Sequence, residues 1–304
     1  MLSNETRVLC PLVTPFSAGD VDHGALADVV EHLADRGVDG FVPCGTTGEF
    51  GSLTQDERHA VVETTVEAAP PDAPVVAAAA GTAVETVRER IADVADAGAD
   101  AALTVSPYYV TPSEASANQA FFERVVADSP LPVYLYNIPS VVDDRITPET
   151  VAALADAEAV VGLKDTSGDL THVIEVLERV PDDFEVLQGF DGQLVPGLYA
   201  GMDAGVNSLS HVIPETLTTA VEAVRTGDHE RARTIQRHVI GPLFRCGSEY
   251  GFAGATKVML AHEGLLADPE VRPPLELPDP EERAAIVSTV DRIDERGPTG
   301  GEGE

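Results

Sequence analysis

The sequence predicts an α/β fold, a (β/α)8 TIM barrel with a small C-terminal helical unit. Short apolar runs rich in Val, Ala and Tyr alternate with longer segments of helical period, the pattern of repeated βα units around a parallel sheet. Eight such units follow one another in roughly the first 225 residues, a length typical of this barrel. We therefore expect a catalytic barrel over 1–226, a helical unit over 227–296 and a disordered tail rich in Gly, Pro and Glu over 297–304.

Each predicted strand is a short apolar run, and each predicted helix lies between two such runs. The strands are expected at 8–13, 40–43, 75–80, 101–106, 133–137, 160–164, 185–189 and 204–209. The barrel helices are expected at 24–35, 55–68, 83–96, 114–127, 148–154, 170–180, 193–200 and 214–225, and the C-terminal helices at 229–240, 253–262 and 281–295. Capping signals agree with these ends: Thr54 with Glu57 makes a capping box, and Gly37 and Gly98 close two helices.

The composition predicts a soluble, cytoplasmic protein without a disulfide framework or a zinc site. The chain has 304 residues, 43% of them hydrophobic, and no stretch approaches the ~18 consecutive apolar residues of a membrane span. Its N-terminus lacks the basic and apolar segments of a signal peptide. The cysteines, Cys10, Cys44 and Cys246, are widely spaced, so we interpret them as small buried hydrophobic residues.

The formal net charge of −33 argues against nucleic acid or an anionic membrane as a partner. Acidic residues are spread through the periodic segments, which disfavours a disordered acidic region. At molar salt the Debye length falls to about 3 Å, which would screen the repulsion between these charges. The excess of acidic residues resembles that of proteins from salt-accumulating organisms, so we predict a halophilic protein.

Lys164 is the first candidate for chemistry, because reactive groups of a barrel lie where strands end. The chain contains 17 Arg but only two Lys, Lys164 and Lys257, and Lys164 ends an apolar strand. Desolvation there would lower the pKa of its ammonium towards the free amine that attacks carbonyls. We interpret Lys164 as a Schiff-base lysine; the alternative is a lysine that extends from a strand end into solvent.

Two further strand ends complete a site for a small keto acid. Tyr136 ends the strand before that of Lys164, and neighbouring strands lie about 4.8 Å apart, so the two side chains can converge on one small molecule. The glycine-rich turn of Thr46 and Thr47, after the second strand, offers backbone donors to a carboxylate, although it could also be a plain loop. A barrel roughly 15 Å across leaves room for a three-carbon keto acid between the turn and the lysine.

Three segments of the chain resemble those of a known family in their order and spacing. They are Gly45-Thr46-Thr47-Gly48-Glu49, Tyr136-Asn137-Ile138-Pro139 and Gly162-Leu163-Lys164-Asp165-Thr166. They resemble the dihydrodipicolinate synthase / N-acetylneuraminate lyase family of pyruvate-dependent class I aldolases, and the resemblance covers nearly the whole chain. It implies a TIM-barrel lyase whose only covalent group is the imine that its lysine forms with pyruvate or another 2-keto acid, with no metal or cofactor.

The resemblance also implies a role for individual residues. Lys164 would form the imine, the turn of Thr46 and Thr47 would hold the carboxylate, and Tyr136 would transfer the proton of the bond-forming hydroxyl. A tyrosine from a partner subunit would complete a proton relay with Thr46 and Tyr136. Tyr109 occupies the matching place, with Tyr108 as the alternative, so the resemblance implies a homotetramer built from close dimers.

Two departures from better-known relatives direct the prediction of the substrate. Val141 stands where dihydrodipicolinate synthases have an arginine for the second substrate's carboxylate, and Gly192 stands where N-acetylneuraminate lyases have a sugar-binding glutamate. A buried carboxylate without a partner is costly. The uncharged or acceptor groups expected near the lysine suit the hydroxyls of a short aldehyde; they are Thr166, Ser167, Asp191 and Ser208. Gly189 is also predicted to bind substrate. We therefore predict cleavage of 2-keto-3-deoxygluconate to pyruvate and glyceraldehyde.

Other functions stay open at this point. The first alternative is dihydrodipicolinate (4-hydroxy-tetrahydrodipicolinate) synthase, since Arg145 could replace the missing arginine. N-acetylneuraminate lyase, a 2-keto-3-deoxy acid dehydratase and a non-catalytic keto-acid sensor are further alternatives. A phosphate-binding barrel is less favoured, because the seventh and eighth loops lack an evident basic residue.

Overall fold

The computed structural model describes residues 8–110 and 114–294 and confirms the predicted barrel. Its strands are β1 (Val8–Cys10), β2 (Phe16–Ser17), β3 (Asp20–Val21), β4 (Gly40–Phe41), β5 (Val76–Ala78), β6 (Ala101–Val105), β7 (Val133–Asn137), β8 (Val160–Asp165), β9 (Glu185–Gln188) and β10 (Ala204–Val206). Strands β2 and β3 form a separate antiparallel hairpin that the sequence did not predict. The other eight are parallel, in the order β4, β1, β10, β9, β8, β7, β6, β5.

The two end strands of this sheet approach each other, so the barrel is nearly closed. An isolated parallel bridge joins Phe41 to Val75, the residue before β5. The backbone N–H of Phe41 also donates to the carbonyl of Pro74 at 2.9 Å. Strands β6 and β7 are buried along their whole length, as expected where helices cover one face and side chains fill the other.

Helices surround the strands and continue beyond them. They are α1 (His23–Asp35), α2 (Gln55–Ala68), α3 (Val84–Asp96), α4 (Ala115–Val126), α5 (Pro139–Val142), α6 (Pro148–Ala155), α7 (Leu170–Leu177), α8 (Leu194–Ala200), α9 (Pro214–Thr226), α10 (His229–Ile235), α11 (Gly241–Tyr250), α12 (Phe252–His262) and α13 (Pro280–Asp294). The capping box of Thr54 and Glu57 starts α2 as predicted. Gly37 and Gly98 follow α1 and α3 with φ of +86° and +91°. Within the described residues, no helix is long and apolar enough to cross a membrane.

The C-terminal helices differ from the prediction at one place. The expected helix 229–240 is α10 followed by a π-turn over Gln236–Ile240, which runs directly into the unpredicted helix α11. Gly241 and Pro242 directly follow the predicted helix, and a proline normally ends a helix because it lacks the N–H of the helical ladder. The π-turn accommodates the proline: the N–H of Gly241 donates to the carbonyl of Gln236, five residues earlier.

The C-terminal helices share a hydrophobic core with the barrel. Val8 of β1 and Leu217 of α9 belong to the same buried cluster as Ile240, Leu243 of α11 and Ile286 of α13. The division at residue 226 stays a prediction, and the predicted tail lies outside the described residues. All three cysteines are buried and unpaired, as expected. Burial raises their thiol pKa, to about 12 for Cys44 and about 11 for Cys246.

Candidate active site

Lys164 and Tyr136 lie side by side at the carboxyl ends of β8 and β7. The two residues are register partners in the parallel ladder. Both are 5% exposed, and the Lys164 Nζ lies 4.3 Å from the centroid of the Tyr136 ring. Among the described residues Lys164 has no salt-bridge partner, so its amine faces the cavity without a carboxylate that holds it in place.

The absence of a side chain at Gly189 creates the space that Lys164 occupies. A Cβ atom at Gly189 would lie 2.8 Å from Lys164 Cε and 2.1 Å from Thr166 Oγ1. Thr166 Oγ1 is buried and has no hydrogen-bond partner, although the residue lines the cavity. The predicted site residues Gly189 and Thr166 therefore lie beside the lysine. Glycine is required at position 189 because the side chains of Lys164 and Thr166 approach its backbone closely.

The predicted carboxylate-binding turn faces the same cavity. Thr46 is exposed and Thr47 is 7% exposed, and both line the cavity. Thr47 Oγ1 and Ser208 Oγ form a hydrogen bond of 2.9 Å, which joins two predicted site residues from the second and eighth βα units. Gly48 is needed inside the turn, since a Cβ there would lie 2.7 Å from the carbonyl oxygen of Leu12.

Asp191 is a buried carboxyl at the end of the seventh barrel strand. It begins a short 3-10 turn after β9 and lines the cavity. Its Oδ1 accepts the backbone N–H of Leu209 at 2.8 Å. Burial raises the pKa of Asp191 to about 6, and the backbone N–H groups of Leu209 and Ser208 and the charge of Lys164 oppose that rise. Burial thus favours the protonated form of this carboxyl at mildly acidic pH.

Sequence reasoning missed a buried polar network beneath the ends of β7 and β8. Asn137 Nδ2 donates to Asp165 Oδ2 at 2.6 Å, and His172 Nε2 lies 3.5 Å from the same oxygen. The other oxygen of Asp165 accepts the hydroxyl of Ser167 at 2.6 Å. Burial lowers the pKa of His172. The network fixes the loop after Lys164, and Asn137 and Asp165 were visible only as parts of the two strand-end motifs.

The cavity has a volume of about 420 Å³ and extends well beyond a pyruvate-sized space. Its outer wall is aromatic and comes largely from helices after the barrel: Phe244 of α11 lies between Phe190 and Phe252, with ring centroids 4.8 Å and 5.9 Å away. Tyr250 also lines this wall. No sequence signal identified these residues, because their position depends on how the C-terminal helices cover the barrel.

Val141 and Arg145, on which the predicted substrate depends, differ in their position relative to the cavity. Val141 lines the cavity and is 53% exposed. Arg145 Nη1 donates to Asp169 Oδ2 at 2.7 Å and does not line the cavity. Among the described residues that line it, Lys164 is the only one with a basic side chain.

Tyr109 is not brought to the cavity of its own chain. It is 96% exposed and has a φ of 74°. Tyr108, the alternative, packs edge-on against Phe50 with ring centroids 6.3 Å apart. Within 8–110 and 114–294, no group of three or more His, Cys, Asp and Glu side chains is arranged to hold a metal ion.

Comparisons with known proteins agree with this fold and identify its family. The sequence profile of the dihydrodipicolinate synthetase family matches residues 4–293. The 4-hydroxy-tetrahydrodipicolinate synthase of Natronomonas pharaonis is 40% identical over 243 residues, which are 79% of this chain and 81% of that protein. The same enzyme of Hyphomonas neptunium is 38% identical over 282 residues, which are 92% of this chain and 95% of that protein.

A solved structure of dihydrodipicolinate synthase from Bacillus anthracis has a TM-score of 0.92 and 28% identity, covering 96% of this chain and 99% of that one. The chain therefore belongs to the dihydrodipicolinate synthetase family of aldolase-type lyases, whose members form a lysine Schiff base with pyruvate and use no metal or other cofactor.

Proposed function

We propose that the protein joins pyruvate to an aldehyde, or reverses that reaction, through an imine on Lys164. The observation that carries the proposal is that the buried pair of Lys164 and Tyr136 lines the same cavity as the Thr46–Thr47 turn. A lysine that no carboxylate holds can attack the keto carbon of pyruvate, and water leaves as the imine forms. The turn would bind the carboxylate with its hydroxyls and backbone donors.

The imine makes the next step possible. It withdraws electrons from C3, so that carbon can lose a proton and attack the aldehyde as an enamine, and the reverse cleavage also leaves an enamine in place of a bare carbanion. Tyr136, whose ring centroid lies 4.3 Å from Lys164 Nζ, would donate or accept the proton of the new hydroxyl. Water then releases the product from Lys164.

For the aldehyde, we propose first that the protein is a 4-hydroxy-tetrahydrodipicolinate synthase, which condenses pyruvate with aspartate semialdehyde. The named relatives support this alternative better than the predicted cleavage of 2-keto-3-deoxygluconate. The identities of 36–40% extend over most of the chain.

Cleavage of 2-keto-3-deoxygluconate stays the second candidate because of one feature of the cavity. The synthase substrate brings a second carboxylate, yet Val141 stands at the predicted arginine position and Arg145 is bound to Asp169. Once Lys164 has become an imine, the described lining residues include no other basic side chain to pair with that carboxylate. Glyceraldehyde is neutral and needs no such partner.

One comparison decides between the two. We would measure kcat/KM for condensation with aspartate semialdehyde and for cleavage of 2-keto-3-deoxygluconate on the same preparation. A higher value for aspartate semialdehyde supports the synthase, and a higher value for the sugar acid supports the second candidate. Arg145→Ala is the informative control: it should lower only the synthase reaction if Arg145 leaves Asp169 to bind the substrate.

We also propose that the protein is a homotetramer in which Tyr109 enters the site of a neighbouring subunit. The high exposure of two apolar side chains, 96% for Tyr109 and 74% for the adjacent Val110, supports an interface at this loop. Sedimentation analysis of Tyr109→Phe, together with its turnover, separates the assembly from the proton relay. A fully active monomer would contradict both. The cytoplasmic location and the halophilic character stay predictions.

A further inference from the structure

The second lysine of the chain, Lys257, lies outside the candidate active site but is bound to it through one carboxylate. It belongs to α12, and its side chain is fully buried. Its Nζ lies 2.5 Å from Glu49 Oε1 and 2.7 Å from the carbonyl oxygen of Glu270. The same atom lies 4.2 Å from the centroid of the Phe16 ring.

Glu49 directly ends the turn that contains Thr46 and Thr47. Its backbone is left-handed, with a φ of 56°, and its N–H donates to the carbonyl of Thr46 at 3.2 Å. Its side chain is fully buried. The second carboxylate oxygen accepts the backbone N–H of Arg272 at 3.0 Å. Both oxygens are thus bound by groups that come from beyond residue 250.

A buried ion pair of this kind is poor evidence for a role in stability alone. Desolvation of the two charges offsets much of their attraction, and well-packed apolar residues often stabilise a fold as well. The charges also fix the relative position of the two side chains, because the carboxylate must lie within hydrogen-bond distance of the ammonium. For Lys257 and Glu49, that position determines where the end of the turn lies.

We propose that Lys257 is a positioning residue that holds the carboxylate-binding turn in place through Glu49. The inference rests on the proposed role of Thr46 and Thr47 in binding the pyruvate carboxylate. Lys257 would then set the affinity for pyruvate from outside the cavity, without touching substrate. Loss of the pair should weaken pyruvate binding and leave the imine chemistry of Lys164 intact.

The test measures pyruvate binding without any knowledge of the aldehyde. Protein is incubated with a series of pyruvate concentrations and treated with borohydride, and the adduct on Lys164 is quantified by mass spectrometry. Glu49→Gln and Lys257→Met should each raise the half-saturating pyruvate concentration about tenfold or more, with full trapping on Lys164 at saturation. Each single variant leaves one partner of the buried pair without the other, which lowers stability. The double variant leaves no buried charge unpaired, so it should be more stable than Glu49→Gln or Lys257→Met, while its pyruvate affinity stays low.

Tyr134→Phe is the matched control, because it removes a buried hydrogen bond to Glu185 at the first residue of β9, away from the turn. It should lower the melting temperature without changing the pyruvate dependence. If Lys257→Met does not fold, Glu49→Gln, which keeps the side-chain volume, decides. Unchanged half-saturation in Glu49→Gln and in the double variant would overturn the inference. Failure to trap wild-type Lys164 would instead refute the proposed function.

Discussion

The surroundings of the two lysines show that burial by itself does not decide what a lysine does. Lys164 and Lys257 are 5% and 0% exposed, and each lies near an aromatic ring. Lys257 is held by a carboxylate and a carbonyl, whereas Lys164 points into a cavity and has no salt-bridge partner among the described residues. Burial lowers the pKa of Lys257, but the Glu49 carboxylate opposes this effect.

The difference follows from the elements that carry the two lysines. A strand end in a barrel directs Lys164 towards the open face where the loops begin. Helix α12 places Lys257 against the carboxylate of Glu49 and the carbonyl of Glu270, so this lysine meets fixed partners. The two lysines therefore differ in their partners: Lys164 faces a cavity and has no salt bridge among the described residues, whereas Lys257 is ion-paired with Glu49.

The largest expected effect tests this comparison directly. Lys164→Ala should lower kcat/KM by about a thousandfold or more, because the covalent step is lost. Pyruvate and borohydride should label Lys164 alone in wild-type protein, as detected by peptide mass spectrometry. A pyruvate adduct on Lys257 would show that the two environments do not differ as described.

Gly189→Ala should disturb Lys164 by steric crowding, because the new Cβ would contact both the lysine side chain and the hydroxyl of Thr166. Its Cβ would lie 2.8 Å from Lys164 Cε, so the amine must move. A displacement of a reacting group by about 1 Å can lower kcat/KM by about a hundredfold. Gly24→Ala is the matched control, since the nearest atom to a Cβ there is 3.5 Å away. Equal activities of the two variants would contradict the steric argument.

Asp191, which lines the same cavity as Lys164, should make the free energy of unfolding of the protein depend on pH. Its pKa is raised from 3.8 to about 6, so between these values the folded protein holds a proton that the unfolded chain has released. The free energy of unfolding should therefore fall by up to about 3 kcal/mol across this window as pH rises. Asp191→Asn cannot ionise and should remove that component, as measured by urea unfolding from pH 4 to pH 7.

Asp169→Asn is the control for that experiment. The hydrogen bond from Arg145 lowers the pKa of Asp169, so its stabilising contribution is present above the unfolded pKa and is lost only below it. The difference between wild type and Asp169→Asn should therefore stay constant from pH 5 to pH 7. If Asp191→Asn behaves in the same way, Asp191 does not titrate near 6.

A change in salt concentration should have the smallest effect on the surroundings of Lys164 and Lys257. With 52 acidic and 19 basic residues, repulsion at the surface is strong in dilute buffer, and salt screens exposed charges far more than buried pairs. The melting temperature should rise with KCl concentration. The pyruvate concentration that half-saturates trapping on Lys164 should change little while the protein stays folded. Equal melting temperatures in dilute buffer and at molar KCl would contradict the prediction.

The regular pattern of the sequence was enough to predict the barrel and several of the side chains that line its cavity. Alternating strand and helix periods locate the strand ends, and strand ends of a barrel lie on one face, so Lys164, Tyr136 and the Thr46–Thr47 turn had to be neighbours. The hydrogen bond between Thr47 and Ser208 is a consequence of the same geometry. Helix α11 was missed because a proline normally ends a helix, and only a π-turn allowed this one to continue.

The sequence by itself determined which reactive side chains stand at the strand ends, because local periodicity sets where each strand stops. Only the tertiary structure decided what surrounds them. Lys257 and Glu49 are 208 positions apart, and Phe244 reaches the cavity from a helix beyond the barrel. Such contacts depend on how whole elements pack, since the free energy of packing is shared among many distant residues and leaves no periodic signal along the chain.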